Sequence, residues 1–318
     1  MTVQVQAPVR EDGAIEGLTA RFIDVGDIRT RYYEEGTGQP VVLCHGGNWG
    51  GSSSANVWSK NISDLAGTLR VLAADRVACG LSDNPAREED YVYRTEVDHM
   101  HDFVRALGCE RYHLVGQSRG AGLAARLAVE HPDEVLGLTI INSETIAPRW
   151  GDFPRRQRLV LEGVFDFSRP PTFAAQRPEQ LRALYERMSY RTEHVTDEFV
   201  ATDAWMATRP KALRTAEVMQ GGGQARWDHS LAEIRADTHR QIEAGRLGEL
   251  PILLYWGRED PWAVLEQGHA LFELLSQSNP NVRFYTVRGA GHFAFREQPR
   301  EFAWLLSEFI RFWSGERG

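Results

Sequence analysis

Long apolar runs are missing from this chain of 318 residues. No stretch approaches the roughly 18 consecutive apolar residues that a membrane-crossing helix needs. Cysteine is scarce. Cys44, Cys79 and Cys109 are odd in number and show no C-x-x-C spacing. That excludes a disulfide scaffold and points to reduced thiols in a cytoplasmic protein. Positive charge is not in excess: 36 Lys and Arg stand against 44 Asp and Glu, a net charge of −8. A nucleic-acid or anionic-membrane partner is therefore not expected. The opening MTVQVQAPVREDGAIEG carries acids and has no apolar core, unlike a secretory signal. Repeats and low-complexity tracts are also lacking.

What is present is ordinary globular composition, 42% hydrophobic and 25% charged. Residues 1–17 are expected to form a loose N-terminal arm. TARFIDV (19–25) and IRTRYYEE (28–35), joined through Gly26-Asp27, predict a hairpin. PVVLCHGG (40–47) is a continuous apolar run ending in glycines, the mark of a strand covered on both faces. RVLAAD (70–75), YHLVG (112–116), GLTIIN (137–142), PILLYWG (251–257) and VRFYTV (282–287) repeat it. Helices are predicted at 95–107, 119–131, 262–277 and 299–313. This alternation gives an α/β class with a mostly parallel, eight-stranded sheet flanked by helices. Between 147 and 248 no buried-strand run occurs. Pro170-Pro171, Arg-rich amphipathic segments and Gly221-Gly222-Gly223 predict a helical cap inserted after strand 6, with 18–146 and 249–318 as the core domain.

Four motifs carry chemistry. Gly116-Gln117-Ser118-Arg119-Gly120 follows an apolar strand and opens a helix. A serine hydroxyl needs such a sharp turn to be presented to a base, and the flanking glycines relieve the crowding. The plain alternative is a βα turn with Ser118 as the N-cap of the helix. Gly289-Ala290-Gly291-His292-Phe293 puts a histidine, able to titrate near neutrality, on a glycine-rich loop late in the chain. Trp256-Gly257-Arg258-Glu259-Asp260-Pro261 offers the acid that would orient that imidazole. Asp260 is preferred, Glu259 reads as a solvated neighbour, and Glu144 is held in reserve. His45-Gly46-Gly47 ends a strand in backbone that can approach an oxyanion closely. Gly47 is the preferred donor there, Gly46 the next, and the Arg119 N–H would complete the hole. His45 reads as structural.

From about residue 19 to 315 the chain resembles the α/β-hydrolases with a helical cap, whose triads follow the order Ser118…Asp260…His292. Within them it is most similar to the meta-cleavage-product hydrolases, which cut a carbon–carbon bond in vinylogous diketones. HGGNWGGSSSANVWSKN (45–61), DRVACGLSDNP (75–85), LVGQSRGA (114–121), WGREDPW (256–262) and GHFAF (291–295) carry the likeness. The resemblance implies substrate contact at Asn56. It departs in three places: Gln117 stands where the family has Asn, and Phe293 where it has Trp. Asp203 aligns with a cap arginine that binds the substrate carboxylate. Cap arginines 187, 191 and 209 could stand in for it.

Some bland readings remain. Asp98-His99-Met100-His101-Asp102 points around different faces of a helix and is not expected to hold a metal. Cys44 reads as core, and Cys79 as core or pocket wall. Arg155-Arg156-Gln157-Arg158 reads as a solvated face. Trp49, Phe153, Phe165, Phe167, Trp205 and Trp227 could wall an apolar site. The expectation is a serine-triad hydrolase of a small apolar carbonyl compound, without cofactor or metal, with a homodimer compatible. An ester or lactone hydrolase is the first rival, and a triad-retaining small-molecule receptor the second.

Overall fold

A computed structural model describes residues 9–47, 53–148 and 177–315. Its sheet has eight strands: β1 (Ala20–Val25), β2 (Ile28–Glu35), β3 (Gln39–Cys44), β4 (Leu69–Ala74), β5 (Tyr112–Gln117), β6 (Val135–Ile141), β7 (Ile252–Gly257) and β8 (Val282–Val287). Their spatial order is β1-β2-β4-β3-β5-β6-β7-β8. The hairpin strand β2 runs antiparallel to β1 and β4, and every other pairing is parallel. Central strands are buried along nearly their whole length, which explains their unbroken Val, Leu and Ile runs.

The chain enters the middle of the sheet at β3, steps outward to β4 and then crosses back to β5. The carboxyl ends of β3 and β5 therefore flank a topological switch point, where open α/β sheets bind ligands. Helix α1 (Ser59–Leu65) packs with the C-terminal helix (Pro299–Ser314), and α2 (Tyr93–Ala106) with α3 (Arg119–Glu130). Two apolar clusters result. Leu72, Phe103, Leu114, Leu254 and Trp256 belong to one, and Val41, Leu43, Val115, Tyr255 and Phe302 to the other. Alternate residues of β3, β5 and β7 thus feed opposite sides of the sheet.

After β6 come α4 (Pro178–Met188), α5 (Asp197–Ala207), α6 (Pro210–Val218) and α7 (Gln224–Glu243). The Gly221-Gly222-Gly223 segment makes the bend between α6 and α7. Gly222 has φ +106°, which favours glycine. α7 packs on α2, α3 and α8 (Leu265–Ser276) of the core. Its Asp237 pairs with Arg126 at 2.6 Å, and the Ile242 carbonyl accepts from Ser278. The Arg155–Arg158 tract and Pro170-Pro171 lie outside the described residues.

The expected loose arm is also corrected. In its described part, Ala14 and Ile15 are fully buried. Arg31 donates to the Asp12 and Gly13 carbonyls, both at 2.7 Å, while pairing with Asp75. A buried guanidinium must find acceptors, and the strap at 10–18 supplies them.

Candidate active site

Ser118 follows β5 with φ +54° and ψ −119°, a backbone conformation rare outside glycine. Such a residue costs on the order of 1–3 kcal/mol and persists only where its surroundings hold it. Here Ser118 N–H donates to the Ile141 carbonyl at 3.0 Å, and Ser118 C=O accepts from Ser143 Oγ at 2.6 Å. A Cβ at Gly120 would run into the Cys44 carbonyl, and one at Gly116 into the backbone of α3. Both glycines are needed because the helix is pressed onto the strand ends. The Ser118 side chain makes no capping bond to α3, so the N-cap role is not what it does.

Asp260 sits on the loop after β7, buried. Its Oδ1 accepts from the Trp262 and Ala263 N–H groups at 2.7 and 3.0 Å. Its Oδ2 accepts from Asn142 Nδ2 at 2.6 Å and meets His292 Nδ1 at 2.8 Å. Four donors saturate the carboxylate, so it is an acceptor only and His292 carries its proton on Nδ1. That leaves Nε2 with a lone pair. Glu259 instead accepts from the Gly289 and Ala290 N–H groups and shapes the histidine loop. Glu144 bears electrostatically on Arg119. Gln117 Nε2 reaches the His292 carbonyl at 3.4 Å, which ties the end of β5 to that loop.

Gly46 completes the approach. A Cβ there would lie 2.8 Å from Ser118 Cβ, so the turn after β3 lies directly against the serine. Gly47 follows with φ +86°. His45 is fully buried, and burial lowers its pKa to about 3, so it is a neutral structural imidazole.

A family model described as the alpha/beta hydrolase fold matches residues 39–299. This chain belongs to the α/β hydrolase fold family. It is 28% identical over 294 residues to a 2-hydroxymuconate semialdehyde hydrolase of Pseudomonas sp. (strain CF600), covering 91% of this chain and 93% of that protein. It is 27% identical over 310 residues to a fluoroacetate dehalogenase of Burkholderia sp, covering 93% and 94%. A solved 2-hydroxy-6-oxo-6-phenylhexa-2,4-dienoate hydrolase from Rhodococcus sp. strain RHA1 superposes with TM-score 0.69 at 23% identity, covering 92% of this chain and 99% of that one. At that identity the likeness speaks to the fold. No helix among the described residues is long and apolar enough to cross a membrane.

The remaining expected residues of this α/β hydrolase divide. Phe293 packs edge-on against Tyr185 of α4 at 5.6 Å and against the His292 ring. Asp203, on α5, is buried. It accepts from Tyr185 Oη at 2.8 Å and Ser54 Oγ at 3.0 Å, and burial raises its pKa to about 7. Trp205 is half-buried beneath the Arg209 guanidinium. Asn56 and Trp227 go elsewhere. Asn56 commits its amide to Tyr33, Arg31 and the Gly13 carbonyl. Trp227, on α7, donates its indole N–H to Glu96 and lies under the Arg119 guanidinium. Cys44 and Cys79 are buried, which raises their pKa to about 12 and about 11 and makes them inert as thiols. Trp49, Phe153, Phe165 and Phe167 lie outside the described residues.

His99 bonds Thr30 and His101 bonds Glu134, so the two diverge as their helix positions require. His101, His131 and Glu134 do cluster at the start of β6. The two rings stack at 3.7 Å and 3°, and parallel planes cannot both contain one metal ion.

Two organising residues were missed. Asn142, with φ +41°, joins the ends of β6 and β7 by donating to Asp260 and accepting from the Gly257 N–H at 3.0 Å. Its signal was its place at a strand end beside the reserve acid. Glu297 accepts from the N–H groups of Gly291, Tyr190 and Arg191, tying the histidine loop to the exit of α4. Nothing in the sequence marks it.

Proposed function

We propose that this chain is a serine hydrolase acting on a small, largely apolar carbonyl compound, and that the bond it cuts is a carbon–carbon bond in a meta-cleavage-type vinylogous diketone. The observation that carries the chemistry is the saturated Asp260 carboxylate holding His292 by Nδ1, on a loop that Gln117 ties to the strained Ser118 turn. Held by three other donors, Asp260 fixes the tautomer of His292 and stabilises the imidazolium as it forms. His292 Nε2 takes the Ser118 proton, and the attack on the carbonyl is driven from Ser118. The Gly47 and Arg119 N–H groups receive the developing oxyanion. After a keto–enol shift the departing carbon leaves as a conjugated dienolate that takes the proton from His292, and water, deprotonated by the same imidazole, then frees the acyl group from Ser118 as a carboxylic acid and restores the hydroxyl. The bond class rests on the named activities of relatives such as the 2-hydroxymuconate semialdehyde hydrolase. The protein is expected in the cytoplasm.

An ester or lactone hydrolase is the second reading, favoured by one observation. Asp203 puts a buried carboxyl, held by two hydroxyls, on the insertion near Phe293. An acid at that place offers no positive charge to pair with a substrate carboxylate. Assaying a 6-oxo-dienoate and an aryl ester side by side separates the two. The first reading expects kcat/KM for the dienoate to exceed that for the ester, and the reverse order overturns it.

A further inference from the structure

We infer that Arg76 is a positioning residue that aims the oxyanion-binding peptide after β3, with Glu96 holding it in place; this rests on the serine-hydrolase reading above. Arg76 follows β4 and is fully buried. Its Nη2 donates to the Gly46 carbonyl at 2.9 Å and to the Gly47 carbonyl at 2.7 Å. Its backbone N–H donates to His45 Nε2 at 3.0 Å, so that ring carries its proton on Nδ1, which then donates to the same Gly46 carbonyl at 2.8 Å. One carbonyl thus receives a guanidinium and an imidazole donor.

The consequence follows from peptide geometry. In a trans peptide the C=O of one residue and the N–H of the next point in opposite directions. No cis bond occurs among the described residues. Pinning the Gly46 carbonyl onto Arg76 therefore turns the Gly47 N–H away from the guanidinium. The turn is held between Arg76 and Ser118, whose Cβ crowds Gly46 from another side. A glycine-rich turn left to itself could flip this peptide and present the carbonyl to the oxyanion. Two donors on that carbonyl oppose the flip.

Glu96 of α2 couples this to the other donor. It pairs with Arg76 Nη1 through Oε2, while Oε1 accepts from Trp227 Nε1 at 2.6 Å. Trp227 lies 4.6 Å from the Arg119 guanidinium, and Tyr93 Oη donates to the Arg119 carbonyl at 3.2 Å. One buried ion pair underlies both arms of the hole. Stability alone does not require it, because apolar residues of similar volume usually replace buried ion pairs without loss.

The test uses Arg76→Met, Arg76→Lys and Glu96→Gln in the full chain, with melting temperature, kcat, KM and the rate at which a fluorophosphonate labels Ser118. Phosphonylation also builds negative charge on an oxygen in the hole, so it reads the hole independently of the substrate. Arg76→Met is expected to lower kcat by about 100-fold, the order seen when one oxyanion donor is lost, with KM within about threefold, the pattern of an interaction made only in the transition state. Labelling should slow in parallel, and Arg76→Lys should recover part of both. Should Arg76→Met not fold, Glu96→Gln carries the test, with the same split at smaller size. Folded variants that match the wild type in kcat and in labelling overturn the role of Arg76 while leaving the serine reading standing. A wild type that is not labelled at Ser118 overturns both.

Discussion

At the residue scale, candidates for chemistry stood out where a residue type is rare for its setting. A serine between glycines at a strand end and a histidine directly after a Gly-Ala-Gly run late in the chain were such cases. Asp260 was preferred because Glu259 read as a solvated neighbour; in the structure Asp260 touches the imidazole and Glu259 shapes the loop. Glu297 and Arg76 were not legible, and Asn142 was marked only by its place at a strand end. Each acts through partners tens of residues away, and an Asn, a Glu or an Arg is ordinary in any loop or helix. Asp203 yields a prediction at this scale. Its folded pKa is raised to about 7 from 3.8, chiefly by burial, with the Tyr185 and Ser54 hydroxyls and the Arg296 charge opposing and Asp75 adding to the rise. Between those values the folded chain holds the proton and the unfolded chain does not, so this group's contribution to stability falls as pH climbs from about 4 to about 7 and stays low above. A shift of this size corresponds to about 4 kcal/mol at most. Asp203→Asn should therefore gain several degrees of melting temperature relative to the wild type at pH 8, and much less at pH 4. An equal difference at both pH values would show that the carboxyl is not protonated in the fold.

At the element scale the strands were read closely because burial on both faces leaves a continuous apolar signature. β4 was expected at 70–75 and is Leu69–Ala74, and α3 at 119–131 is Arg119–Glu130. The strap at 10–18 was missed because its hold depends on carbonyls, which no side-chain pattern reveals. Where the insertion ends was not legible, for a different reason. α7 has an amphipathic pattern, and the pattern does not say whether its apolar face meets the insertion or the core. The β5–α3 turn gives the element-scale prediction. Gly120 lies against the Cys44 and His45 carbonyls, which are backbone and cannot swing aside. Gly120→Ala should cost about 2 kcal/mol or more in stability, within the range for overpacking. It should also lower kcat by pushing α3 off β3. Thermal denaturation and steady-state kinetics check this, and an unchanged melting temperature would mean the helix has room the geometry denies it.

At the scale of the whole molecule, the sheet brings together groups that the chain keeps far apart. The turns after β3 and β5 flank the switch point, and β6, β7 and β8 lie in order beside them, so Gly46, Ser118, Asn142, Asp260 and His292 gather along one edge. The insertion closes on that edge through the Met188 carbonyl, which accepts the His292 N–H at 2.8 Å. The account rests on Ser118 as the group that starts the attack. The most direct measurement is single-turnover decay of a 6-oxo-dienoate by the wild type and by Ser118→Ala, both checked for folding. The account predicts a loss of at least about a thousandfold for the variant, as for other hydrolases stripped of their nucleophile. A folded Ser118→Ala that turns over at the wild-type rate would contradict it.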